Sequence, residues 1–588
     1  MKQRVLAGLL LVLLVTLGPG TGARGAVEPV KNPDTFVTLR FGDPESLDPA
    51  YAYDTASQEV IWPAVYETLI AYSGSMTSRY VPELASQVPS LANGLISKDG
   101  LTYTFPIRSG VKFHDGSTMT PEDVRYSMLR FMLQDRDGGP SWLLLTPLLG
   151  KDSTRDSKGK FQVTYQDAAK AVTVDGNNVV FHLNHPYGAF LSIMAAWSLV
   201  MPKAWAAAHG DWDGSAGTWQ KYNNPKLQDR YAFDHMNGTG PFKLQQWDRQ
   251  AKQVILVRND AYWRSPAKLA RVVIRTVPEF ATRRLQLQRG DADFIEVNRT
   301  EQSQVQGMAG VEIRDDLPTL VLQALHFNFK IDATGNPDVG SGKLDGNGIP
   351  PDFFSDLHVR KGFAYAFDYA TFIRDGYRGK AVQPNGPIIQ GLLGYDPTLP
   401  KYTFDRAKAT TEFKEAWGGK LWDTGFKFTL TYNTGNTVRQ VGAQIMKDSI
   451  EALNPKFKVD IRNLQWSSFL QATNQHKGTL YALGWAVDYP DPDDFAQPFL
   501  ASTGDYPKRN SFKDPNADRL VQEGAVTADP AKRAAIYRQL TKIAYDQVPS
   551  LYVAQPSAFV VMRSWVRGWY YNAVLSPGSL DYYALYKQ

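Results

Sequence analysis

The stretch LGWAVDYPDPDDFAQPFL, residues 483–500, sets a strand-like apolar run against four aspartates, three prolines and four aromatic rings. Carboxylates at that density suit three kinds of chemistry: a metal site, a general acid/base pair, or a seat for the cationic end of a ligand. Pro490 and Pro492 have a fixed φ and press the residues before them towards extended geometry, so the side chains of Asp488 and Asp491 splay apart rather than converge. That disfavours a shared metal and a catalytic pair alike, and leaves ligand recognition or a purely structural acidic turn. Asp488 stands just past the run Leu483–Val487, at the end of what reads as a strand.

Other catalytic constellations are missing from the chain. No Gly-x-Ser-x-Gly elbow occurs; VGSGK at 339–343 comes nearest, inside a Gly- and Asp-rich stretch, 330–354, that reads as a surface loop. Asp338, Asp345 and Asn347 of that loop do not follow the ligand spacing of a calcium-binding EF-hand. There is no His-Glu-x-x-His, and the eight histidines are scattered without helical-face pairing. The absence of cysteine removes disulfides, thiol nucleophiles, cysteine-bound zinc and a lipid-modified cysteine. The sequence therefore predicts no catalytic residue, no metal site and no cofactor.

A chain of 588 residues is too long for one core and predicts two or three domains. With 64 Lys+Arg against 59 Asp+Glu and no basic run, the net charge of +5 argues against nucleic acid as a partner. Lys2 and Arg4 precede the apolar run VLAGLLLVLLVTL and the small-residue stretch GPGTGARGA. That run is shorter than the roughly 20 residues a spanning helix needs, so residues 1–25 read as a signal peptide cleaved on export to the periplasm. No later segment is long and apolar enough to span a bilayer, which predicts a soluble mature protein.

The elements that must position Asp488 are legible as short β-type runs, such as FVTLRFG (36–42) and QVILVRN (253–259), alternating with amphipathic helical patterns. Asp529 and Pro530 supply an N-cap and a first-turn proline ahead of the stripe Ile536, Leu540, Ile543 and Ala544, and Asp356 precedes Val359, Phe363, Ala366 and Phe367. VTVDGNNVVFHL reads as a hairpin turning at its Asp-Gly-Asn-Asn. This mixture, without internal repeats, predicts an α/β fold.

Several stretches form an ordered pattern: SLDPAYAYDTAS (46–57), YVPELASQVPSLANGLISKDGLTYTFPIRSGVKFHDGSTMTPEDVRYSM (80–128), GTGPFKLQQWDR (238–249), LVRNDAYW (256–263), LQRGDADFIEV (287–297), LHVRKGFAYAFDY (357–369) and GWAVDYPDPDDF (484–495). Together they resemble the extracytoplasmic solute-binding proteins of peptide- and nickel-type ABC importers, with inserts at 210–233 and 330–354 that a compact relative would not need.

The resemblance implies a two-lobed α/β protein closing on its ligand about a hinge, the chain crossing between lobes near Val297 and near 552–555. Lobe I would comprise residues 26–75, 201–297 and 553–588, with 76–200 as an additional subdomain, and lobe II residues 298–552. It implies a monomeric receptor that captures a peptide-like ligand and delivers it to the permease of an ABC importer in the inner membrane, without catalysis. Asp488 takes the position of the family aspartate that pairs with a ligand α-ammonium. The backbone of Gly484 and Ala486 would bond an extended ligand like an added strand, and Trp485 and Tyr489 would form apolar walls. The loop bearing Tyr51, Tyr53, Asp54 and Thr55 would supply the opposite wall. For the far end of the ligand Arg360 and Lys361 are the available bases, though both read as solvated helix positions. The same fold also serves oligosaccharides, nickel chelates, opines and other cationic small molecules, so these stay open, while an exported hydrolase would need a constellation the residues do not offer.

Overall fold

Alternating β-branched and aromatic residues place β1 (Thr35–Arg40) at the centre of a seven-stranded sheet, with Phe36 and Leu39 fully buried. The structure, a computed structural model, describes residues 29–156, 158–575 and 580–588; the expected signal peptide, 1–25, lies outside them. The same sheet takes β2 (Phe242–Asp248), β3 (Gln253–Arg258), β4 (Arg271–Thr276), β5 (Phe294–Ile295) and β6 (Val311–Leu317). A second sheet, of six strands, begins with β7 (Val321–Phe327) and continues with β8 (Ala381–Val382), β9 (Phe426–Asn433), β10 (Phe457–Leu464), β11 (Leu480–Ala486) and β12 (Ser550–Pro556). Strand β13 (Ala558–Arg563) then returns to the first sheet, between β5 and β6.

The chain thus changes sheets at 318–320 and at Ser557. The first crossing lies beyond the expected Val297, because β6 still pairs with β13 in the first sheet, Ile313 opposite Val561. The second lies just past the expected 552–555, since β12 is held to β7 through Ala554 and to β8 through Pro556. Thr319 Oγ1 donates to the Pro556 carbonyl at 2.5 Å and so ties the two crossing segments together.

Local signals set the helices. Thr120 and Asp123 form a reciprocal capping box around the head of Pro121–Leu133, Asp529 caps Pro530–Gln547, and Asp356 caps Leu357–Ala366. Asp-Gly-Asn-Asn joins Val172–Asp175 to Asn178–His182 as a hairpin, with Gly176 at φ +58°. The 330–354 stretch is less superficial than its composition suggests, because Val339, Ile349, Phe353 and Phe354 are buried in the core of the second lobe.

The largest core runs without a break from the first sheet through Trp142 and Phe190 to Tyr489, Phe495 and Phe499 of the second lobe. Hydrogen bonds cross the gap as well: Trp466 Nε1 to Asp54 Oδ1 at 2.9 Å, Ser467 Oγ to Asp43 Oδ2 at 2.6 Å, and Thr503 Oγ1 to Asp152 Oδ2 at 2.6 Å. The lobes are shut against each other. Among the described residues no helix is long and apolar enough to cross a membrane.

Candidate functional site

A cavity of about 270 Å³, partly open to solvent, lies between the two lobes. Of the residues singled out from the sequence, Tyr53, Asp54 and Thr55 line it from one side and Gly484, Trp485, Ala486 and Asp488 from the other. Tyr489 does not. It is fully buried, its hydroxyl 3.0 Å from that of Tyr187 and donating to Asp493 at 3.2 Å. β11 ends at Ala486, and in the bend that follows Asp488 reaches the cavity while Tyr489 packs into the core. Tyr51 is likewise buried, with its ring under the Arg130 guanidinium.

Strand β9 registers with β11 only at Leu480 and Tyr481, so the 482–486 stretch carries no strand on that side. Its backbone is not wholly free, because the Gly484 carbonyl accepts from the Tyr506 hydroxyl at 2.8 Å. A Cβ at position 484 would come within 2.5 Å of Gln323 Nε2, on the strand opposite, so any larger residue there must push that side-chain amide aside.

Asp488 is 8 % exposed, and its Oδ2 accepts from the Tyr53 hydroxyl, across the gap, at 2.6 Å. Trp142 Nε1 donates to that same hydroxyl at 3.0 Å and fixes its orientation. The Asp488 amide donates to Asp494 Oδ2 at 2.9 Å, which brings the two carboxyl groups close together. Burial pushes Asp488 up to about 7; burial and the neighbouring Asp488 charge hold Asp494 well above the usual carboxylate range. Among the described residues no lysine or arginine pairs with Asp488. A carboxylate in that setting is stable only with a proton or with a cation brought from outside.

The other aspartates have structural partners. Arg533 clamps Asp491 through two bonds of 2.8 and 2.6 Å, and Asp493 and Asp494 open the helix Asp493–Leu500. Asp54 caps the helix Thr55–Ile61 with Oδ1, which also receives Trp466 Nε1, and burial with the Glu45 charge raises it to about 6.

Arg439 was not legible as a site residue, and it lines the same cavity as Asp488. In the first turn of the helix Thr437–Glu451, its Nη1 donates to Asn433 Oδ1 at 2.7 Å and its Nη2 to Gln323 Oε1 at 3.3 Å. Its Nε is buried without a partner, burial lowers its pKa, and among the described residues no carboxylate pairs with it. Arg360, an available base by sequence, proves to be buried: its guanidinium is consumed by the carbonyls of Phe354, Ser355 and Gln547, away from the cavity. His358, Glu412 and Glu415 form a grouping able to hold a metal, outside the cavity lining, with His358 Nδ1 2.7 Å from Glu412.

The model describing "Bacterial extracellular solute-binding proteins, family 5 Middle" matches residues 79–507. The chain belongs to this family. It is therefore a binding protein and not an enzyme, and its two lobes are those of the solved relatives. The probable D,D-dipeptide-binding periplasmic protein DdpA of Escherichia coli K12 is 25% identical over 555 residues, 92% of each chain. The periplasmic binding protein DppA of Helicobacter pylori, solved with the peptide STSA, matches with a TM-score of 0.72 at 23% identity, covering 94% of this chain and 98% of that one. The binding protein AgaA of A. tumefaciens R10, solved with agropinic acid, matches with a TM-score of 0.70 at 20% identity, covering 94% and 99%.

Proposed function

We propose that the protein is an extracytoplasmic receptor that takes a short peptide into the inter-lobe cavity, seating its ammonium on Asp488 and its carboxylate on Arg439, and presents it to an ABC importer permease. One observation carries this: a single cavity holds a carboxylate and a guanidinium, each held by neutral hydrogen-bond partners and neither in an ion pair. A zwitterion supplies both counter-charges at once, each in a charge-assisted hydrogen bond. A neutral oligosaccharide would leave both unmatched. The peptide named with the Helicobacter structure and the dipeptide named with the Escherichia coli relative support the same class. Because the Tyr53–Asp488 bond joins the lobes, a ligand on Asp488 favours the closed state, which is what a permease must distinguish.

The test is calorimetry and thermal shift with Ala-Ala, N-acetyl-Ala-Ala, Ala-Ala-amide and an opine. Ala-Ala should raise the melting temperature, and capping either end should remove the effect; stabilisation by the opine alone would replace the peptide reading.

A pH dependence follows from Asp488. Held at about 7, it must release its proton to meet an ammonium group. Affinity for Ala-Ala should fall roughly tenfold per pH unit below about pH 7. It should fall again above about pH 8, where the peptide's own amine, of pKa about 7.7–8.0, loses its charge. A flat calorimetric profile from pH ~5.5 to ~7.5 contradicts the assignment of Asp488.

Gly484→Ala should weaken Ala-Ala about 3–10-fold with little change in the melting temperature of the free protein, because its Cβ displaces the Gln323 amide that holds Arg439. Titration of the variant with the same peptide checks this.

A further inference from the structure

We infer that the receptor selects peptides whose C-terminal residue has a basic side chain, read by Glu296. The inference rests on the proposed seating of the ligand carboxylate on Arg439.

A second cavity, of about 210 Å³, continues from the first towards the hinge. The two share Arg40, Glu296, Gln323 and Asn436 as walls, and the second ends on Thr319 and Ser557, where the chain changes sheets. Its mouth is beside Arg439, since Gln323 accepts from the Arg439 guanidinium and Asn436 Oδ1 from the Arg439 amide. A side chain leaving the carboxylate end of a seated peptide therefore enters this second space.

What it meets there is set by which acids are already engaged. Glu59 is taken by Arg40 at 2.6 Å and by the Tyr582 hydroxyl at 2.9 Å. Arg509 clamps Asp505 through two bonds of 2.9 Å, and Arg136 reaches Glu45 at 3.1 Å. Asp54 is a helix cap. Glu296 differs: its Oε2 accepts from the Phe41 amide at 3.2 Å, and among the described residues no cation stands within ion-pair distance of it, although its charge acts on Arg40, Arg283 and Arg439. It lies half-buried in the wall common to both cavities.

Two consequences favour a basic side chain. The Glu296 charge acts on Arg439 and therefore on any carboxylate seated there. An apolar C-terminal residue would leave Glu296 and the seated carboxylate with only the arginines of the walls as counter-charges, whereas an ammonium or guanidinium entering the second cavity would offset both. Phe294, Phe559 and Val560 in the same walls offer apolar surface for the aliphatic stem of a lysine or arginine.

The experiment compares Ala-Lys with Ala-norleucine, which has the same chain length without the charge, by calorimetry on the wild type and on Glu296→Gln, with N-acetyl-Ala-Lys as control. The wild type should prefer Ala-Lys by about tenfold or more, and Glu296→Gln should collapse that ratio to near one, the amide retaining the acceptor for Phe41. Equal affinities in the wild type overturn the inference and leave the peptide reading standing, without recourse to any variant. A ratio that persists in Glu296→Gln overturns it as well. Failure of every uncapped dipeptide to bind, or full binding of N-acetyl-Ala-Lys, overturns the amine seat on Asp488 and the inference with it.

Discussion

Asp488→Asn weakens Ala-Ala by about 100-fold or more, the expected cost of removing one partner of a buried charge pair. The amide keeps the shape and an acceptor for the Tyr53 hydroxyl, so the loss reports the charge and not the packing. The same substitution stabilises the unliganded protein. In the fold Asp488 keeps its proton up to about 7, against about 3.9 for an aspartate in an unfolded chain, so the native state binds the proton more tightly. That contribution to stability is fully present below about pH 4 and is lost as pH rises through about 7. Asparagine mimics the protonated form at every pH. The variant should therefore melt roughly 2–4 °C higher than the wild type at pH ~8 and close to it at pH ~4.5. Calorimetric binding and scanning calorimetry at the two pH values read both effects. Ala-Ala affinity within a few-fold of wild type would remove Asp488 as the ammonium seat, and an unchanged melting temperature at the higher pH would remove the unpaired charge.

Arg439→Gln has the next largest effect, again about 100-fold on Ala-Ala, because the peptide carboxylate is left buried without its guanidinium. Glutamine retains a donor towards Asn433, which limits collapse of the wall. The informative readout is a cycle. In the wild type, Ala-Ala-amide should bind about as weakly as Ala-Ala binds to the variant, and combining the two changes should add little, since each removes the same interaction. Additive losses would mean that the ligand carboxylate lies elsewhere, and equal wild-type affinity for acid and amide would mean that it is not recognised.

The place of Asp488 past a strand end is legible in the sequence, because the apolar run ahead of it marks the strand and the prolines part it from Asp491, while the approach of Asp494 from the following helix is not. Helix starts at Pro121, Leu357 and Pro530 are legible for a similar reason: a cap is a contact between residues two or three apart. Tyr489 illustrates the limit. Its neighbour faces the cleft, but whether position 489 meets ligand or core depends on Tyr187 and Trp142, more than three hundred residues earlier in the chain. The hinge reads too early at Val297 because a two-residue strand such as β5 looks like an exit, while the pairing that keeps β6 in the first sheet comes from β13, near the other end of the chain.

Arg360 and Arg439 make the division plain. Each is an arginine near the start of a helix that follows an acidic or amide cap, and local pattern treats them alike. Packing buries one against carbonyls and points the other into the cavity beside Glu296. By itself the sequence determined the class of fold, the capped elements and the carboxylate at a strand end, all of which depend on neighbours within a few residues. Only the tertiary structure decided which charges meet, which stay unmatched and how far the cavity reaches, because those depend on segments brought together from opposite ends of the chain.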